Sequence, residues 1–509
     1  MNVAQRKAIL AIDEGTTGTR AAWVDESGDV GGLHYERLAV SAPRHRVVEQ
    51  DAAEILSKTI IAVRHTLADA QAKGVAIVSM AIATQRATSV VWDTRTGQPL
   101  APAVVWQDTR YADDLAGLGK TWNSALIPRV GRGTGVRTPY LTVARQIQDN
   151  PAVREAHRAG RLGFGTIDTW LIWNLVQGRP LISTATNATS SGAYDLRAHS
   201  YAHDYIDALG FPAELLPELR DDGGEFGLTD PEVLGIAVPL RAVIGDLHAG
   251  MIGVGALHAG DAMCVHGTGS FVDLNMGTAQ PDNPGKYDGA LSLVAWRSGG
   301  LSRYSIETFT AATGSALDWI CDTLGWFESA KAISAAAAGA DAAGTVQFIP
   351  AMTGVRMPVV NPDVTSALAG IDFATTRAQV AFGVLEGIAQ SVTWSLEADT
   401  EVAGIDVTGV TVGGGLAHSD PLLQMQADLT QVPQRRLEGT EYASIRGAAF
   451  LAGAGELWDD LESTSALLAQ EAYFEPAMSR AERDERVASW RARVHAEIEL
   501  SQRHATQEV

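Results

Sequence analysis

Short apolar, β-branched runs alternate with longer stretches of helical period along most of this chain. Residues 8–12 and 21–24 are apolar runs on either side of a Gly/Thr-rich stretch, which predicts strand, tight turn, strand. Residues 51–72 carry apolar positions at helical spacing and predict an amphipathic helix ahead of a buried strand over 75–81. Residues 90–92 and 103–106 read as strands, with 93–98 as the turn between them. A helix is expected over 167–175, with Asp168 in its first turn. Residues 243–246 end a strand, and 248–254 continue as a Gly-rich helix. The strand–turn–strand pattern returns at 263–272, followed by a predicted helix over 307–324 with Gly314 inside it. Residues 407–412 form a strand that runs into Gly413-Gly414-Gly415 and then a helix over 421–430. The charged tail, 479–507, reads as a helix packed by one face. Alternation of this kind indicates α/β layers. A domain boundary is placed near residue 250, and no low-complexity linker interrupts the chain, so two halves are expected to pack around a cleft.

The repeated turn is where chemistry enters. AIDEGTTGTR (11–20) and MCVHGTGSFV (263–272) each place glycines and threonines between two strands. Glycine lets backbone N–H groups approach a ligand, and the threonines add hydroxyl donors. A concave set of such donors suits a phosphate. Either turn alone is more often an ordinary hairpin. Two of them, one per half and the first led by Asp13, suggest a nucleotide held between similar domains. A carboxylate beside phosphate is repelled unless a cation lies between, and Mg²⁺ takes one or two carboxylates plus phosphate oxygens. The plainer role for Asp13 is to cap the turn. Asp246 ends a strand beside the expected cleft, the position of a general base. Taken by itself it is more often a helix N-cap. Gly413-Gly414-Gly415 matches neither GxGxxG nor GxxxxGK[ST], which excludes a dinucleotide fingerprint and a P-loop.

Composition narrows the class. The 509 residues exceed one hydrophobic core, so two or more domains are expected. Hydrophobic content of 46% and charged content of 19% are those of an ordinary globular protein. A formal net charge of −21 argues against nucleic acid or an anionic membrane as partner. Cys264 and Cys321 make neither a disulfide framework nor a metal-ligand spacing. The polar residues 1–7 lead straight into the first strand without a signal-peptide pattern, and a cytoplasmic location is expected.

The motifs, in order, resemble those of the FGGY carbohydrate kinases, and within that family the glycerol kinase branch, over about residues 8–461. AIDEGTTGTR (11–20) is similar to the family's first phosphate motif. TQRATSVVWDTRTGQPL (84–100) and VVWQDTR (104–110) follow its Arg-bearing loop and the strand ending in Trp. GTIDTWLIWNL (165–175), TNATS (186–190), GDLHAG (245–250), HGTGSF (266–271) and ETFTAATGSALDWI (307–320) recur in sequence. SALAGIDFATTRAQVAFGVLE (366–386) resembles the second family signature, with Gly383 where Ala or Ser is usual. VTVGGGLAHSD (410–420) and SIRGAAFLAG (444–453) resemble its adenosine-side motifs. The resemblance implies two duplicated actin-like (ribonuclease H-like) α/β domains, residues 1–249 and 250–509, with ATP and Mg²⁺ as cofactors. It implies that the first domain carries the acceptor site, the first phosphate motif and the catalytic Asp. The second would carry the other phosphate motif, the adenosine motifs and the C-terminal helix. Asp13 and Asp246 would flank the metal, with Asp246 as catalytic base. Thr16, Thr17, Gly267 and Thr268 would hold phosphates, and Gly314, Gly414, Gly415 and Ser419 would line the nucleotide. Arg86, Trp106 and Phe271 fall where the polyol is held, and Tyr140 is the candidate substrate tyrosine. A small polyol or sugar is the expected partner, in a homodimer or homotetramer.

Two departures bear on the substrate. The branch carries Glu after the loop Arg, where this chain has Ala87, and Gln after the catalytic Asp, where this chain has Leu247. The first family signature, expected near 138–150, is degraded and shortened. Ala87 opens space and Leu247 adds an apolar wall, so a polyol or ketose of four or five carbons is expected, phosphorylated at a primary hydroxyl. The alternatives are a glycerol kinase with hydroxyl contacts from other residues, such as His248 or Tyr140, and a catalytically weak nucleotide-binding regulator. A chaperone-like ATPase is disfavoured, because it has no need of Arg86, Trp106 and Phe271.

Overall fold

The computed structural model describes residues 6–135, 138–340 and 344–507, with side chains as far as 503. It divides into two compact units. The first runs to Gly255 and takes in Leu293–Tyr304 and Tyr442–Leu468. The second comprises Ala256–Ser292, Ser305–Glu441 and the chain from Ala469 onward. The sequence suggests one division at 249/250, whereas these units interleave. Among the described residues, no helix is long and apolar enough to cross a membrane.

In the first unit, Lys7–Glu14 and Gly18–Asp25 pair antiparallel across the expected turn, with Glu14 opposite Thr19. Val30–Arg37 extends this side, while Ala76–Thr84 and Leu240–Gly245 add parallel strands on the other. The parallel strands are apolar almost throughout, as strands covered on both faces must be. Asp51 caps the helix Ala52–Ala72 by accepting from the amide of Ala53, and the helix buries Ile55, Ala62 and Val63. These join Leu10, Ile12, Ile82, Trp92 and Trp170 in one core. The expected strand over 103–106 is confined to Ala103–Val104, which leaves Trp106 beyond the ladder.

The first unit is closed by a segment from far along the chain. The helix Ala443–Gly453 packs on the sheet and against the helix Asp246–Gly253. The two helices meet backbone to backbone. A methyl on Gly447 would lie 1.7 Å from the carbonyl oxygen of Ala249, and one on Gly253 would lie 1.9 Å from that of Ala443. Only glycine permits this approach, and it places 442–468 with the first unit.

The second unit repeats the plan. Asp261–His266 and Ser270–Gly277 pair antiparallel, with His266 opposite Ser270, and Gly409–Gly414 adds in parallel. Within this unit the strand order is Ser270–Gly277, Asp261–His266, Gly409–Gly414, Gln434–Leu437, Gln470–Phe474. The expected helix over 307–324 is overturned in its first part. Residues 307–310 end the strand Leu301–Thr310, whose β-branched and aromatic residues (Ile306, Thr308, Phe309, Thr310) suit a pleated sheet. Helix begins at Gly314, runs to Asp318 and continues as a π-helical turn, Trp319–Thr323. The C-terminal helix Arg480–Gln507 forms as expected, and Trp490 anchors one face by donating to the carbonyl of Phe348 at 2.8 Å.

Gly447→Ala should overpack the helix contact. Overpacking typically costs about 1–3 kcal/mol, and the backbone collision puts this site at the upper end. Urea unfolding should show a lower midpoint than wild type. An unchanged midpoint would mean that the helices separate at no cost.

Candidate active site

Asp246 is anchored from several sides. It opens the helix Asp246–Gly253, with Gly245 as the capping residue before it. The hydroxyl of Thr186 accepts from the amide of Gly245 at 2.9 Å and donates to Asp222 at 2.5 Å. Ser444, on the clamping helix, donates to the carbonyl of Asp246 at 3.1 Å. The carboxylate accepts from the amide of Leu247 at 2.9 Å and faces Arg86 Nε at 3.6 Å. Arg86 is 7% exposed, lies over Gly245 and donates to Ser190 at 3.3 Å. Asp246 therefore has its backbone pinned and its carboxylate oriented, and remains half-buried. That arrangement suits a proton acceptor.

Asp13, at the end of its strand, faces Arg20 at 3.9 Å. Burial raises its pKa to about 6, Arg20 lowers it, and the nearby charge of Asp246 raises it further. Two carboxylates in one partly dry site disfavour each other's charge, and a divalent cation between them would remove that conflict. The donor set fits Mg²⁺ on this ground.

The turn that follows Asp13 is tied to Trp106 and the loop bearing Arg86 by polar contacts the sequence did not flag. Trp106 Nε1 donates to the hydroxyl of Thr16 at 2.9 Å, and its backbone amide donates to Thr88 at 3.2 Å. Thr16 and Thr88 both donate to Gln85, at 3.3 and 3.0 Å. Gln85 in turn donates to Gln50, whose amide reaches the carbonyl of Thr16 at 2.7 Å. Thr17 is exposed at the turn's tip. Ala87 is buried in the same loop with φ at 61°, a left-handed conformation uncommon for a residue with a side chain. Leu247 is half-buried beside Asp246. The ring of Tyr140 packs on Phe164 and Phe211, at 6.0 and 5.4 Å, and its hydroxyl meets Ser191. Burial pushes the Tyr140 hydroxyl pKa up.

In the second unit, Gly267 and Thr268 are exposed in the turn after His266. The carbonyl of Gly267 accepts from the amide of Gly314 at 3.1 Å, and that of Thr268 accepts from the amides of Thr313 and Ser315 at 2.9 and 3.1 Å. The turn after His266 and the start of the Gly314 helix are thus one assembly. Gly414 has φ at 82°, and a methyl there would lie 2.2 Å from the carbonyl oxygen of His266, so glycine is required. Gly415 is exposed, and Ser419 is held by Ser334 at 2.8 Å. Phe271 packs on Phe309 with centroids 4.5 Å apart and the rings tilted by 36°.

The chain matches two family models in turn. Residues 8–253 match the FGGY family of carbohydrate kinases, N-terminal domain, and residues 262–456 match its C-terminal domain. It is 35% identical to a glycerol kinase of Thermus brockianus over 491 residues, covering 96% of this chain and 98% of the relative. A glycerol kinase of Brucella ovis is 34% identical, covering 95% and 97%. The fold is similar to that of a crystal structure of Plasmodium falciparum glycerol kinase with ADP, with TM-score 0.91 and 24% identity over 96% of this chain and 98% of that one. Xylulose kinase from Rhodospirillum rubrum superposes with TM-score 0.85 at 20% identity, over 97% and 100%. At these identities the two structures establish the fold alone.

His266 yields a pH prediction. It is fully buried, and burial lowers its pKa to about 4, with its bond to Gln426 opposing. In the unfolded chain it titrates near 6.5, so the unfolded state binds the extra proton between those values. Its contribution to stability is intact above the unfolded value and is lost as pH falls toward 4. The melting temperature should therefore drop less steeply over that range in His266→Asn than in wild type.

Proposed function

The chain belongs to the FGGY family of carbohydrate kinases, and on that premise we propose that it transfers the terminal phosphoryl group of ATP to a primary hydroxyl of a polyol or ketose with four to five carbons. The observation that carries the reading is Asp246, held at the end of a strand with Arg86 against its carboxylate and Asp13 close by. Asp246 accepts the proton of the attacking hydroxyl. Arg86 orients that carboxylate, and Trp106 forms a wall joined to the phosphate turn through Thr16. Thr16, Thr17, Gly267 and Thr268 bind phosphates, while Gly314, Gly414, Gly415 and Ser419 line the nucleotide. Asp13 and Asp246 would hold Mg²⁺, which when bound neutralises charge on the phosphoryl oxygens. The competing reading, a glycerol kinase, is favoured by the relatives' names and full-length similarity. Ala87 and Leu247 weigh against it, because neither side chain can bond a glycerol hydroxyl.

Asp246→Asn should cut acceptor-dependent ADP release by about 10²–10⁴-fold, the usual cost of losing a general base, with nucleotide binding kept. Wild-type turnover in that variant would remove Asp246 from the base role.

Asp13→Ala should raise the Mg²⁺ concentration needed for half-maximal rate. In wild type that requirement should climb as pH falls through about 6, because the carboxylate must lose its proton to bind the cation. A requirement independent of both pH and Asp13 would make Asp13 a turn residue only.

A coupled ADP-release assay should rank tetritols, pentitols or ketopentoses above glycerol. A hydrogen bond to a charged group is worth about 1.5–3 kcal/mol, so the missing Glu contact alone costs glycerol on the order of ten- to a hundredfold in kcat/KM. Ala87→Glu with Leu247→Gln should shift preference back toward glycerol. Outright preference for glycerol in wild type would establish the competing reading.

A further inference from the structure

The two phosphate turns are stapled in the same way, by residues that the reaction above does not use. In the first unit, the last residue of the leading strand is Glu14, paired across the turn with Thr19 and beside Thr84 of the parallel neighbour. In the second unit the equivalent residue is His266, paired across the turn with Ser270 and beside Gly414. Both side chains are buried, at 0% and 1% exposure. Glu14 accepts from the hydroxyls of Thr19 and Thr59, the latter at 3.0 Å from the helix Ala52–Ala72. His266 bonds the hydroxyl of Ser270 at 2.7 Å and the side-chain amide of Gln426, also at 2.7 Å, from the helix Asp420–Thr430. Each staple therefore joins one strand end, the facing hydroxyl across the turn, and one helix. The second reaches further. Ser270 lies 2.7 Å from the Thr313 hydroxyl, and the Thr313 amide holds Thr268.

Burying a titratable side chain is costly unless it is bonded, and an apolar residue would fill either place at less expense. Unlike residues, one acidic and one imidazole, occupy the same position in two repeats and make the same pattern of bonds. That recurrence points to a requirement of the turns rather than of general stability.

We propose that Glu14 and His266 are equivalent positioning residues, each fixing its turn in the shape that receives the phosphates of the nucleotide. The proposal rests on the kinase reading of the turns. It separates positioning from chemistry: both side chains are buried against hydroxyls and a helix, and both act through the turns between Glu14 and Thr19 and between His266 and Ser270.

The test uses the full-length protein and steady-state kinetics with Mg-ATP and the best acceptor of the panel. Glu14→Leu and His266→Leu remove the staples while keeping apolar volume. Each should raise KM for Mg-ATP by about tenfold, as expected for a lost bonding arm, with KM for the acceptor little changed. Glu14→Gln and His266→Asn retain a group that can meet Thr19 and Ser270, and should recover most of the loss. Should a leucine variant fail to fold, Thr19→Val and Ser270→Ala cut the same bonds from the other side and should give the same split. Equal changes in both KM values, or no difference between the leucine and conservative variants, would overturn the proposal. Calorimetry with Mg-ADP separates the two levels. Wild-type protein that binds no nucleotide defeats the kinase reading and this proposal together. Binding in wild type that is equally tight in the leucine variants defeats only the proposal.

Discussion

The first unit depends on a close approach of two helix backbones. The helices Asp246–Gly253 and Ala443–Gly453 touch along their backbones because Gly253 and Gly447 carry no Cβ. That contact sets where Asp246 stands, since Asp246 is the first residue of one helix and Ser444 on the other grips its carbonyl. It also explains why a segment nearly two hundred residues downstream belongs to the same compact unit. A side chain at either glycine would separate the helices and move the carboxylate with them.

Around that fixed point the polar groups form chains rather than isolated pairs. Thr186 joins Asp222 to the strand end before Asp246, and Gln85 and Gln50 join the turn after Asp13 to the loop bearing Arg86 and to Trp106. Buried polar groups are tolerated when every member is bonded, and such chains then resist deformation. Rigid placement matters for phosphoryl transfer, where positioning and electrostatics supply most of the catalysis. The raised pKa of Asp13 records the opposite condition, a carboxylate close to another and partly dry.

Much of this was legible in the residues. The strand–turn–strand at 11–20 and its repeat at 263–272 both form, as do the helices over 52–72 and 167–175, because their periodicity and turn chemistry agree. Asp13 stands out beside a Gly/Thr turn, whereas Asp246, by itself more often a helix N-cap, stands out through the family resemblance. The error at 307–310 arose where helical spacing and β-branched content competed and the sheet won through pairing with distant strands. Gln50, Gln85, Thr88, Glu14 and His266 carried no local signal. Ordinary polar residues gain a role only from the partners folding brings to them.

The sequence by itself determined the family, the two Gly/Thr turns and the candidate carboxylates Asp13 and Asp246, because each is written in a short stretch of contiguous residues. Tertiary structure alone decided that residues 442–468 complete the first unit, that Thr16 is bonded to Trp106, and that Tyr140 is bonded within an aromatic core. It also decided that Glu14 and His266 occupy the same place in two repeats. The physical reason is the same in each case. Periodicity and turn propensity are local properties of the chain, whereas burial, hydrogen-bond partners and backbone close approach are set by residues tens or hundreds of positions away.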